Sequence, residues 1–270
     1  MGRYAHLVMG PAGSGKSTYC KKIQEHCAMT GRTVHIVNLD PAAEDILYTP
    51  SVDIRELISL EDVMEELQLG PNGGLIYCME FLGNNFEWVR EEIGAFEEDY
   101  ILIDCPGQVE LYTHLPVMKN FIAEMTRMDY RMCAVYLLDS HFITDSTKFL
   151  SGGLMCLSAM IQLELPHINV LSKMDMVQYK GEAEDLEHFL DMELNYVISE
   201  ATTECSKFSS LTNAIGVLLE QFNLVSFVPL NIKDEDTVSV LLQHVEHAMQ
   251  YGEDQEPKEP NDTAEVDWYQ

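Results

Sequence analysis

Near the N-terminus, Gly10-Pro11-Ala12-Gly13-Ser14-Gly15-Lys16-Ser17 carries the spacing G-x-x-x-x-G-K-[ST], a pattern suited to holding a polyphosphate. Glycines let successive backbone N–H groups converge on phosphate oxygens, and a helix starting at the end of the loop adds partial positive charge. On this reading Gly13, Ser14 and Gly15 cradle phosphate, and Lys16 reaches the β- and γ-phosphates. The Ser17 hydroxyl ligates Mg2+, and Thr18 bonds a phosphate nearer the nucleoside. The ligand implied is a nucleoside triphosphate with its cation.

Three further constellations carry chemistry. Asp104-Cys105-Pro106-Gly107-Gln108 follows an apolar stretch. Asp104 there can hold Mg2+, and the Gly107 N–H can meet a γ-phosphate. Gln108 can orient an attacking water, and Glu110 can polarise it. Asn38-Leu39-Asp40-Pro41-Ala42 ends another apolar stretch, which makes Asp40 a candidate for handling the water or the metal shell. An aspartate before proline also starts turns, so both readings of Asp40 stand. Finally, Ser172-Lys173-Met174-Asp175 is similar to the N/T-K-x-D motif. In that motif the aspartate accepts two hydrogen bonds from guanine while the lysine stem packs on the ring. Ser172 replaces the usual Asn or Thr and keeps a hydroxyl.

These groups need a scaffold that brings them to one edge. Apolar, β-branched stretches recur at Tyr4 to Met9, Thr33 to Leu39, Tyr100 to Ile103, Arg131 to Leu138, His167 to Leu171 and Val225 to Val228. Segments with helical periodicity lie between them, including Thr18 to Cys27 directly after the first motif. Strands alternating with helices predict an α/β fold, a P-loop NTPase with a mostly parallel, doubly wound sheet. The ligand then lies at the carboxyl ends of the strands.

One domain over 1–250 is expected, followed by an acidic, disordered tail over 251–270. Helical insertions are expected over Asp53 to Gly94 and about Tyr179 to Phe222. The first is split at Gly70-Pro71-Asn72-Gly73-Gly74, where proline and consecutive glycines should break the helix. The spacing Leu60, Val63, Leu67, Leu69 resembles a nuclear export signal, but an amphipathic helix packed on the core explains the same spacing and is the preferred reading.

Composition narrows the function classes. With 45 acidic against 16 basic residues the formal net charge is −29, which argues against general affinity for nucleic acid or anionic membrane and fits protein partners better. Hydrophobic residues make up 46%, mean hydropathy is −0.08, and no apolar run approaches the roughly 20 residues a bilayer requires. Seven cysteines lack C-x-x-C or Cys/His ligand spacing. They read as reduced, core-filling thiols of a cytosolic or nuclear protein, with no structural zinc.

The four motifs in this order, joined by Leu69-Gly70-Pro71-Asn72-Gly73-Gly74 and Asp104 to His114, resemble those of the GPN-loop GTPases from Arg3 to about Tyr251. The resemblance implies a Mg2+-dependent, slow GTPase acting as a homodimer or as a heterodimer with a related GPN-loop GTPase. It further implies that the Gly70-Pro71-Asn72 loop of one subunit enters the other's site, where Asn72 stabilises phosphate. Pro11 stands where some dimeric P-loop enzymes place a second lysine, and no basic finger replaces it, so an Asn donor would act by positioning. A role in assembly and nuclear import of RNA polymerase II follows from the same resemblance, with a cytoplasmic location and shuttling to the nucleus. Two other readings remain: an assembly chaperone that uses nucleotide as a structural ligand, and a P-loop kinase. The water-handling Gln108 speaks against the kinase.

Overall fold

The computed structural model describes residues 2–44, 46–94, 96, 100–113, 115–176, 183–204, 209–222 and 225–253. Seven parallel strands form one sheet in the order β3-β2-β4-β1-β5-β6-β7. They are β1 (Arg3–Met9), β2 (Val34–Asn38), β3 (Val52–Asp53), β4 (Tyr100–Asp104), β5 (Tyr130–Asp139), β6 (His167–Ser172) and β7 (Phe227–Pro229). Six of them are the stretches expected from the sequence. The two-residue β3 is too short to leave a periodic signal.

The alternation of β1 explains both faces of the sheet. Ala5, Leu7 and Met9 enter one apolar core, and Tyr4 and Val8 enter the other, because successive strand side chains point to opposite faces. The Tyr4/Val8 face is covered by α1 (Lys16–Met29) and α11 (Glu235–Ala248). Over the opposite face lie α3 (Pro71–Asn84), α4 (Phe86–Gly94), α5 (Glu110–Thr113), α6 (Val117–Arg127) and α7 (Ser146–Leu163). The second insertion contributes α8 (Ala183–Leu190), α9 (Leu194–Glu204) and α10 (Ser209–Phe222). With a buried apolar layer on each side, the strands read as nearly continuous hydrophobic runs.

The sheet register sets the site. Val8 and Asn38 both pair with Asp104, and Asp139 pairs with Ser172. Leu39 N donates to Asp104 O at 2.8 Å and Cys105 N to Val8 O at 3.1 Å. β1, β2 and β4 therefore end together, while β5 and β6 end together three residues farther along, since Met9 pairs with Tyr136; the residues that follow these strands lie along the same carboxyl edge of the sheet.

Two expectations change. The break in the first insertion falls upstream of Asn72: α2 (Leu60–Leu67) stops at Gln68, which takes a left-handed conformation (φ 56), and Gly70 caps α3, with Pro71 in its first turn. Proline is favoured there, because its fixed φ suits the helix and its missing N–H needs no partner. Asn72, Gly73 and Gly74 are thus helical. At the other end, Tyr251 packs on Tyr4 with ring centroids 4.7 Å apart. It receives the Arg32 guanidinium over its ring, and Gly252 N donates to the Tyr4 hydroxyl at 3.2 Å. Residues 251–253 therefore close the domain instead of opening the tail. The rest of the expected tail, residues 254–270, lies outside the described residues, as do Cys205 and the expected start of the second insertion at Tyr179. The six described cysteines are free and buried.

A candidate nucleotide site at the carboxyl edge of the sheet

The loop between β1 and α1 closes against its neighbours at two glycines. Gly10 has φ +136, and a Cβ there would lie 2.3 Å from the Leu137 carbonyl oxygen on β5, so no other residue fits. A Cβ on Gly107 would lie 2.9 Å from Ala12 Cα. The loop after β4 therefore touches the loop after β1 backbone to backbone.

Between these loops opens a cleft of about 540 Å³ lined by Gly13, Gly15, Lys16, Ser17, Thr18, Asp40, Gly107, Gln108 and Lys173, among others. Lys16 Nζ donates to Gly10 O at 3.1 Å and to Pro11 O at 3.2 Å, folded back along the loop. Burial pulls its ammonium below the ordinary lysine range, opposed by Asp104 and Asp40. The α1 N-terminus supplies its first-turn N–H groups to the same space. Ser14, also in the loop, is buried, and its Oγ has no hydrogen-bond partner.

Asp104 is 3% exposed. Its Oδ2 accepts a hydrogen bond from the Tyr48 hydroxyl at 2.8 Å, while Oδ1 is buried with no partner. Burial pushes this carboxyl up, and the Ser17 and Tyr48 hydroxyls and Lys16 oppose the shift. An unsatisfied carboxylate oxygen beside a serine hydroxyl is a donor set suited to a hard divalent cation. Asp104 and Ser17 fit that role.

Asp40 reaches the cleft from β2. Its Oδ1 accepts from Ala42 N at 3.0 Å, and its backbone N donates to Asn38 Oδ1 at 3.0 Å. Asn38 in turn donates to Asp53 at 3.0 Å, and Asp53 is gripped by Arg55, whose Nη1 donates to Ala43 O at 2.8 Å. Burial pushes Asp40 up, against Ala42 N–H, Lys16 and Arg55. The aspartate starts a turn and lines the cleft at once.

Gln108 lines the cleft, and its Nε2 donates to Asn72 Oδ1 at 3.1 Å within the same chain. Glu110 stands apart. It is exposed at the start of α5 and lines an adjoining groove of about 470 Å³ with Asn72 and Gln108. Gln108 and Asp40 line the cleft itself, and Gly107 and Gln108 line both the cleft and the groove that holds Glu110.

Of the base motif, only Lys173 lines the cleft; Ser172 is buried behind it, its hydroxyl 2.7 Å from Ser14 O and 3.2 Å from Leu138 O. It braces the phosphate loop, and its hydroxyl is not offered to a base. Lys173 (φ +59) arches over the loop, with its Cε 3.9 Å from where a Cβ on Gly15 would stand. Its ammonium pairs with Asp139 at 2.7 Å, and its carbonyl accepts from Ser140 Oγ at 2.9 Å. Although burial alone would raise Asp139, its bonds from Lys173 and His141 hold it below the usual carboxylate range. Asp175 Oδ2 pairs with Lys233 at 2.7 Å.

Tyr48, Asp139 and Lys233 were not singled out from the sequence. Asp139 ends an apolar strand just as Asp104 does, and that placement is a usable signal. Tyr48 and Lys233 sit in loops whose paths depend on the folded sheet, so no local spacing reveals them.

Residues 8–251 match a family model described as a conserved hypothetical ATP binding protein. The chain is 52% identical over 261 residues to GPN-loop GTPase 3 of Dictyostelium discoideum, covering 96% of this chain and 92% of that one. It is 52% identical to GPN-loop GTPase 3 of Mycosarcoma maydis, with 99% of each chain covered, and 49% identical to that of Danio rerio, over 98% of this chain and 94% of the relative. A solved structure of a GTPase in its apo form from Pyrococcus abyssi shares the fold, with a TM-score of 0.73 and 23% identity, covering 89% of this chain and 97% of the other.

Proposed function

The chain belongs to the GPN-loop GTPases, and from that premise we propose that its cleft binds GTP and hydrolyses it to GDP and phosphate. The observation that carries the reading is the convergence of Lys16, Ser17, Gly107 and Gln108 on one cleft of about 540 Å³, with Asp104 buried beside Ser17 and Lys16.

In the reaction, Lys16 leaves the Gly10 and Pro11 carbonyls for the phosphate oxygens, exchanging neutral acceptors for charged ones, which make stronger hydrogen bonds. Loop N–H groups and the α1 N-terminus add fixed positive potential where charge develops. The Gly107 N–H faces the same oxygens. Gln108 orients the attacking water, and Asp40 sits on the same side to share it. Ser17 and Asp104 would hold a Mg2+ ion, which supplies charge neutralisation of the phosphates when bound. Asp175 selects guanine by accepting hydrogen bonds from the base's N1–H and N2–H, and adenine presents no matching pair of donors.

On the family resemblance we extend the proposal to a Mg2+-dependent dimer, homotypic or with a related GPN-loop GTPase, in which Asn72 of one subunit serves the other's cleft. The same resemblance supports a nucleotide-switched role in RNA polymerase II assembly and nuclear import, cytoplasmic with shuttling to the nucleus. The charge of −29 supports protein clients over nucleic acid or membrane.

Phosphate release measured with GTP and with ATP tests the core of the proposal. GTP should be turned over and ATP should not. Equal turnover of both would remove the guanine assignment, and release at the buffer rate would remove the enzyme. Capture of purified polymerase subunits in GTP but not GDP, lost in Lys16→Ala, tests the client role.

A further inference from the structure

We propose that Tyr48 is a positioning residue for Asp104: it occupies one carboxylate oxygen and thereby presents the other, alone, to the divalent cation. The inference rests on the assignment of Asp104 and Ser17 to that cation.

The geometry is asymmetric in a way that asks for a cause. The Asp104 backbone is fixed, since its carbonyl accepts Leu39 N at 2.8 Å and the residue lies in register with both Val8 and Asn38. What remains free is rotation of the carboxylate about Cβ–Cγ, which sets where its two equivalent oxygens point. The Tyr48 hydroxyl, donating to Oδ2 at 2.8 Å, stops that rotation and leaves Oδ1 as the unpartnered buried oxygen. The donor is itself held: Tyr48 is 8% exposed and packs in the core that contains Tyr19, Cys20 and Ile36. A buried outer partner that orients a ligating carboxylate acts on the metal through it.

Tyr48 also lies on the stretch between β2 and β3 that carries Asp40. The same stretch therefore delivers the water-side aspartate and the brace of the cation-side aspartate. Loss of the brace should weaken the cation without touching the nucleotide contacts made by the loop after β1.

Tyr48→Phe removes the hydroxyl and keeps the ring. The test titrates Mg2+ against binding of a fluorescent GDP analogue and separately measures analogue affinity in EDTA. The Mg2+ concentration giving half of the affinity gain should rise about tenfold, with the affinity in EDTA unchanged. An unchanged Mg2+ requirement overturns the proposal, and so does an equal loss of affinity in EDTA. Asp104→Asn, measured alongside, separates the two levels. If it keeps the full Mg2+ response, the cation assignment has failed and the role of Tyr48 falls with it. If it abolishes the response while Tyr48→Phe leaves it intact, only the role of Tyr48 has failed. Melting of the nucleotide-free proteins checks folding, and Tyr48→Met repeats the titration should the Phe variant not fold.

Discussion

Gln108 Nε2 donates a hydrogen bond to Asn72 Oδ1 at 3.1 Å across 36 residues of sequence, so the Gln108 side chain rests on the first turn of α3. The pair is exposed and neutral, worth about 1 kcal/mol or less, and either residue can leave it for another partner.

Asn72→Ala and Lys16→Ala should each slow GTP turnover on the order of 10²-fold. If Asn72 serves the partner's cleft, mixing the two variants rebuilds one intact site in each mixed dimer. Random pairing then restores about a quarter of wild-type phosphate release. A mixture no faster than its components would place the action of Asn72 within its own chain, through Gln108.

At the base end, Asp175→Asn should weaken GTP binding by about 2 kcal/mol, roughly 30-fold, because the guanine donors then face an amide N–H. Xanthosine triphosphate, whose base offers a carbonyl at that edge, should gain. Lys233→Met should move GTP affinity by less than about fivefold, since the lysine of this pair is 74% exposed and exposed ion pairs are weak. Calorimetric titration of GTP, ATP and xanthosine triphosphate reads all three.

Gly107→Ala should cost at least about tenfold in nucleotide affinity while the protein still folds. The added methyl meets the backbone of Ala12 at 2.9 Å and must push the two phosphate loops apart, which distorts the cleft more than the core. Binding and thermal melting, measured together, distinguish this from general destabilisation.

Burial holds His6 at about 3 and His167 at about 4, both below the ordinary 6.5. Below pH 6.5 the unfolded chain therefore takes up protons that the folded chain refuses. Stability from these groups is full above pH 6.5 and is lost as pH falls toward 4, by at most about 1.4 kcal/mol per pH unit for each histidine. Asp40 and Asp104, pushed up by burial, act in the opposite sense. Urea unfolding of wild type and His167→Gln at pH 7, 6 and 5 isolates the histidine contribution: the variant should lose less stability on acidification. Parallel profiles would contradict the assignment.

The sequence by itself determined the α/β class, six of the seven strands and the phosphate loop, because each is local. Strand hydrophobicity, the spacing around Lys16 and an aspartate at a strand end are all written within a few residues of one another. It also placed Asp40, Asp104 and Lys173 at the ligand edge, since parallel strands point their carboxyl ends to the same side of the sheet. Only the tertiary structure decided what those groups touch. Ser172 reads from sequence as part of the base motif, yet its hydroxyl braces Ser14. Glu110 reads as a partner of Gln108, yet it faces a neighbouring groove. Asn72 is drawn into the first turn of a helix, where it meets Gln108. Tyr48 reaches Asp104 across 56 residues and Lys233 reaches Asp175 across the edge of the sheet. Such pairings are fixed by strand order and by the close approach of loops, and neither is encoded in any window of neighbouring residues.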